Sequence, residues 1–165
     1  YIAALNGSLE ALLILIENGA TIDEPNANGS TPLMAAAQNN HVGCMRALLE
    51  NGADVRAKDK DGDTALRIAA SAGRLEALQT LIENGSPIDE GNDNGCTPLI
   101  GAAFFNHVDC LNALLFNGAD IHAKDNDGDT ALSNAALKGS LEALIVLIEK
   151  GSKVNEADNN GSTPL

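Results

Sequence analysis

Two stretches of the chain have the residue types to hold a cation. AKDKDGDTAL spans residues 57–66, and AKDNDGDTAL spans 123–132, 66 residues further on. Each sets three aspartates two residues apart around a glycine, and carboxylate oxygens in such a run suit a hard divalent ion. A twelve-residue calcium loop with glycine sixth begins on an oxygen ligand and ends on a glutamate. Here Ala57 and Ala123 hold the first position, and Ile68 and Asn134 the twelfth. The ligand set is open at both ends, so the phrase reads as a polar turn. His41 with Cys44, and His107 with Cys110, are three apart and could share a helix face. Each pair offers two ligands where a tetrahedral zinc site takes four, so a structural histidine and a core cysteine are expected, with no metal or other cofactor. No glycine-rich phosphate loop ends in G-K-[ST], and no G-x-S-x-G elbow occurs. A non-enzyme is expected.

The acidic phrase recurs because the whole chain repeats. Thr-Pro-Leu or Thr-Ala-Leu stands at 31–33, 64–66, 97–99, 130–132 and 163–165, always 33 residues apart. Two glycine series keep the same step, one at Gly29, Gly62, Gly95, Gly128 and Gly161, the other at Gly19, Gly52, Gly85, Gly118 and Gly151. A fixed period of this length marks a stack of supersecondary units. Each threonine stands where a helix N-cap hydroxyl should, before Pro or Ala at the first helical position. An Ala-rich short helix follows, then a break at Asn or Gly. A longer helix comes next, as in SLEALLILIENG, with Ser8 as its cap and Gly19 as its stop. A polar, glycine-bearing loop leads to the next threonine.

The segment DKDGDTALRIAASAGRLEALQTLIENGSPID, residues 59–89, resembles an ankyrin repeat, and five such units run end to end. The resemblance implies an all-α repeat solenoid of stacked helix–turn–helix units with projecting β-hairpin loops, divided as 1–33, 34–66, 67–99, 100–132 and 133–165. It also implies a concave surface of short helices and hairpin tips where protein partners bind. The family's usual His after Thr-Pro-Leu is replaced by Met34, Arg67, Ile100 and Ser133. Two kinds of unit alternate. A units (1–33, 67–99, 133–165) share Leu-Glu-Ala-Leu, whereas B units (34–66, 100–132) share Asn-His-Val, a cysteine and Asp-Gly-Asp-Thr-Ala-Leu. Reading across units, Asp23, Arg56, Asp89, His122 and Asn155 form a row in which neighbouring charges complement one another. The two His/Cys pairs then lie about 20 Å apart, at two helix-packing spacings. That is too far for one zinc site or for a Cys44–Cys110 disulfide.

The chain carries a net charge of −13 with a pI near 4.3. Nucleic acid is not an expected partner, since binding phosphates takes a basic face. A basic protein fits better. No apolar run is long enough to span a bilayer. Cys96 is expected exposed in its loop. Three cysteines without a sensible pairing favour a reducing, intracellular and cytoplasmic setting. The ends read as a window on a longer array.

The candidate contact residues are those that break the repeat or tip its loops. Phe104 and Phe105 replace Leu5/Asn6, Gln38/Asn39, Ser71/Ala72 and Leu137/Lys138 at the end of a short helix. Phe104 either folds inward to fill a gap or meets a partner. Phe116 takes the place of Glu17, Glu50, Glu83 and Glu149 on a longer helix. With Lys60, Asp61, Asp63, Asn126, Asp127 and Asp129 at two loop tips, they make the candidate partner-binding set. The expected function is a scaffold for protein–protein contact. The alternative is a structural array that forms a long superhelical or filamentous assembly by self-association.

Overall fold

The computed structural model describes residues 1–165, which form ten helices. Five are short: α1 (Ile2–Leu5), α3 (Pro32–Gln38), α5 (Ala65–Ser71), α7 (Pro98–Phe104) and α9 (Ala131–Lys138). Five longer ones alternate with them: α2 (Leu9–Glu17), α4 (Val42–Glu50), α6 (Leu75–Glu83), α8 (Val108–Phe116) and α10 (Leu141–Glu149). Each short helix packs on the next short one and each longer helix on the next longer one, so two parallel rows make an all-α solenoid. No helix is long and apolar enough to cross a membrane.

The threonines start the short helices as expected. Thr31, Thr64, Thr97 and Thr130 are buried, and their hydroxyls accept the amides of Met34, Arg67, Ile100 and Ser133 at 3.3–3.4 Å. Such a cap contributes about 1 kcal/mol. Ala36/Ala37, Ala69/Ala70 and Ala102/Ala103 are fully buried where neighbouring short helices meet. Added methylenes there would overpack the contact. Leucines from both rows complete one core of 31 residues that runs through every unit.

The longer helices are capped differently from the expectation for Ser8. None of their N-cap residues, Ser8, His41, Arg74, His107 and Ser140, makes a side-chain cap bond. Four of these side chains reach back instead to the last turn of the short helix in the preceding unit. His41 bonds the Leu5 carbonyl at 3.1 Å, Arg74 the Gln38 carbonyl at 3.0 Å, His107 the Ser71 carbonyl at 3.1 Å and Ser140 the Phe104 carbonyl at 3.0 Å. Because a carbonyl only accepts, Nε2 carries the proton in both histidines.

The alternation of A and B units is a property of these junctions. Between the two helices of an A pair, the turn residue is Gly7 or Gly73 at φ near +69°, and a Cβ there would meet the next unit's His ring at 2.5 Å. Between the two helices of a B pair, the turn residue is Asn40 or Asn106, each at φ 59°. Their Oδ1 atoms accept the amides of Ala77 and Ala143, each the third residue of the following unit's longer helix, at 3.1 and 3.0 Å. Their Nδ2 groups donate to Glu76 and Glu142. The Asn106 side chain holds the Glu142 carboxyl below the usual glutamate range.

The loops between pairs project as expected, but as turns with no strand ladder; the one antiparallel bridge joins Lys124 and Thr130. The reason is a side chain. Asp59 Oδ1 accepts the amides of Asp61 and Asp63, and Asp125 Oδ1 those of Asp127 and Asp129, at 2.9–3.1 Å. Asn26 and Asn92 do the same in the A loops. The outward tip amides bond the preceding tip instead: Lys60 to the Asn28 carbonyl, Asp93 to Asp61, Asn126 to Asn94 and Asn159 to Asp127, at 3.0–3.1 Å. Gly62 lies under this ladder, where a Cβ would sit 2.6 Å from the Asp93 amide nitrogen.

The expected charge row is offset by one step. Asp23 and Asp89 accept the amides of Asp54 and Asp120 at 3.0 Å rather than facing Arg56 and His122. The ion pairs join Lys58 to Glu90 at 2.8 Å and Lys124 to Glu156 at 3.3 Å. Both are partly exposed, worth about 0–1 kcal/mol each, so they set register more than stability.

Two outcomes follow for the melting temperature. Asn106→Gly keeps the left-handed turn but loses the cap across the junction, and a loss of about 1–2 kcal/mol is expected; an unchanged transition would show that this cap contributes nothing. Asp59→Asn should melt as the native chain does, because asparagine builds the same turn in the A loops. Asp59→Ala should cost about 1 kcal/mol. If Asp59→Asn proves as damaging as Asp59→Ala, the charge of Asp59 matters and the turn account fails.

Candidate functional site

The inner side of the solenoid carries an open groove of about 840 Å³ between loop tips and short-helix ends. Lys60, Asp61 and Asp63 line its loop wall, and Phe105 reaches it from the fourth unit. A smaller hollow of about 270 Å³ adjoins it, lined by Phe104, Phe105, Cys96 and Asn134, with Arg67 shared between the two. Five of the nine candidate residues are thus brought together. Asn126, Asp127 and Asp129 sit on the next acidic loop, outside both hollows. Phe116 stands apart, on the outer row between α6 and α8.

The two adjacent phenylalanines have different roles. Their rings meet edge to face at 4.9 Å between centroids. Phe104 is half-buried, with Lys138 Nζ of the next unit 4.6 Å above its ring. That is a cation–π contact, worth about 0.5–1 kcal/mol where water reaches it. Phe104 therefore both fills space and shows one edge. Phe105 is 54% exposed and stacks beside His107 at 6.3 Å.

The charged candidates also divide. Asp63 is spent on an ion pair with Arg67, and Asn126 Nδ2 donates to the Asp93 carbonyl at 2.8 Å. Lys60, Asp61 and Asp127 remain exposed, and Asp129 half-exposed. Arg67 was not among the candidates, although it breaks the repeat as the phenylalanines do. It forms the floor between the two hollows, and its guanidinium also donates to Ser71 Oγ at 3.2 Å.

The sulfur and imidazole groups are absorbed by the fold. Cys44 and Cys110 are buried, and burial pushes the Cys110 thiol up to about 11, with Asp109 adding to the rise. Cys96 is half-buried, against the expectation that its loop exposes it. Its thiol packs beside Arg67, and burial raises it while the guanidinium pulls it down. His41 and His107 are engaged with backbone carbonyls, and no three His, Cys, Asp or Glu side chains converge. The first carboxylate of each acidic phrase, Asp59 or Asp125, is engaged by its own loop amides. In the equivalent loop, the Ser162 amide is the main reason the Asp158 carboxyl is held below the usual aspartate range.

The comparisons agree with this geometry. No curated protein matches the chain. The family model described as ankyrin repeats (3 copies) matches residues 1–92, 51–125 and 99–165. Repeats of this family are in general modules of protein–protein interaction. Those overlapping matches span every unit, and with the paired helices, the threonine caps and the projecting turns they show that the chain belongs to the ankyrin-repeat family.

Proposed function

We propose that the protein is a non-catalytic scaffold that holds a protein partner in its inner groove, with Phe105 and the open edge of Phe104 as the apolar anchor. The observation that carries this reading is the exposure of Phe105. Among the internal helix pairs, α3 to α8, the large apolar side chains left exposed are Phe105 and Phe116 alone. Phe105 opens onto the groove, whose lining is mostly polar and charged, with Ile68 and Ala72 as the apolar part of the short-helix side. An aromatic anchor inside a polar rim is the usual form of an interface hot spot. Asp61 and Asp127 are exposed at the tips and Asp129 half-exposed, and with a net charge of −13 they favour a basic partner by steering its approach. The partner is intracellular in this reading, where three free thiols stay reduced.

A second reading has one observation in its favour. The tip-to-tip backbone bonds continue without a gap across all four junctions, as a spacer or filament subunit would need.

Capture from cell extract by the native chain and by Phe105→Ala, with light scattering of both across concentration, tests the pair of readings. A partner bound by the native chain and weakened ten- to a hundredfold in Phe105→Ala supports the groove, since truncating an anchor costs about 1–3 kcal/mol. Its association should also slow as salt rises. A partner indifferent to Phe105 removes the anchor. Open-ended growth of the native chain into rods puts the structural array ahead.

A further inference from the structure

We propose that the outer face of the fourth unit is a second docking surface, for a partner segment presenting apolar side chains flanked by lysine or arginine. It goes beyond the inner-groove reading and does not depend on it.

The first support is Phe116 itself. It is 91% exposed in an internal helix pair, at a position where the other four units carry glutamate. Nothing in the fold asks for an aromatic there, because Glu17, Glu50, Glu83 and Glu149 end the other longer helices equally well. The second support is the groove it borders, an open hollow of about 590 Å³ between α6 and α8. Leu75, Ile82 and Ala113 line it, half-buried, and Phe116 stands at one end. On α6 it runs from Leu75 through Gln79 to Glu83, and on α8 from Asp109 through Asn112 to Phe116. Those steps of three and four residues follow one helix face over about 12 Å. This length suits two turns of a helix or four residues of extended chain.

The third support is charge, and it selects the occupant. The only charged residues lining this groove are Glu83 and Asp109, both acidic. A second copy of the chain would bring another −13 against them. A segment with basic flanks would pair with Glu83 and Asp109 while its apolar side chains cover Phe116, Leu75 and Ile82. Apolar centre and charged rim then match on both sides.

The probe is a fluorescein-labelled peptide of two leucine–lysine heptads, with a twin in which every lysine is glutamate. Binding is read by fluorescence anisotropy, and its place by amide shifts of the 15N-labelled full chain. The lysine peptide should bind with shifts along α6 and α8, and Phe116→Glu should weaken it at least tenfold. This variant restores the residue of the other four units, so its fold is not in question. Phe105→Ala should leave this binding unchanged. The proposal is overturned by shifts confined to the loop tips and short helices, by equal binding of Phe116→Glu or of the glutamate twin, or by no binding at millimolar peptide. Sensitivity to Phe105→Ala alone would also overturn it, while leaving the inner groove intact.

Discussion

Every junction in this molecule shares one hydrogen bond: a side chain at the start of a longer helix serves the last-turn carbonyl of the preceding unit's short helix. A short helix of seven or eight residues has few carbonyls with partners inside it. Left buried and unmet, such a group would cost about 1–3 kcal/mol. The next unit supplies the donor, with a spacing of 36 residues at all four junctions. Helix termination and unit stacking are therefore one event. The continuous core has the same consequence, since no unit encloses enough apolar surface to stand alone.

That donor also explains the 66-residue alternation. An imidazole is wide and rigid, so the unit before it must offer a turn without a Cβ, which Gly7 and Gly73 provide. Arg74 and Ser140 reach the same carbonyl with slimmer atoms and leave room for a side chain in the turn. Asn40 and Asn106 use that room to cap the following helix. The two junction types are thus two solutions to one requirement, and each dictates the turn residue of the unit before the donor. Alternating charges between loops, the simpler explanation, is weaker physically because those pairs are partly exposed to solvent.

Much of this was legible in the chain. Threonine, proline and glycine act on their own backbone neighbourhood, so a period of 33 in those residues locates helix starts and turns. The acidic phrase could be read as a turn for the same reason, and Asp59 and Asp125 do bond the amides of their own loops. Other features depend on which side chains the fold brings together. Asn-His-Val was visible as the mark of a B unit, but its asparagine acts 37 residues downstream and its histidine 36 upstream. The thiol of Cys96 meets Arg67, which belongs to the preceding helix pair. Nor could the sequence separate Asp61 from Asp63, because only the fold shows that Arg67 takes the second and leaves the first to solvent.

A repeat protein offers a particular kind of inference about function. Where five units share a position, a residue common to all of them serves the unit, and its chemistry is accounted for by caps, turns and core. The acidic phrases belong there, since their first carboxylates build the turns and Asp63 is paired. A residue present once is free of that explanation unless a neighbour takes it up. Arg67 and Phe104 are taken up, by Asp63 and by Lys138. Phe105 and Phe116 are not: both end a helix where the other units manage with polar residues or alanine, and both present a ring to water. They leave from opposite ends of the same pair, α7 and α8, one toward the loop tips and one toward the outer row. The fourth unit is thereby the place where the array stops being uniform on two separate surfaces.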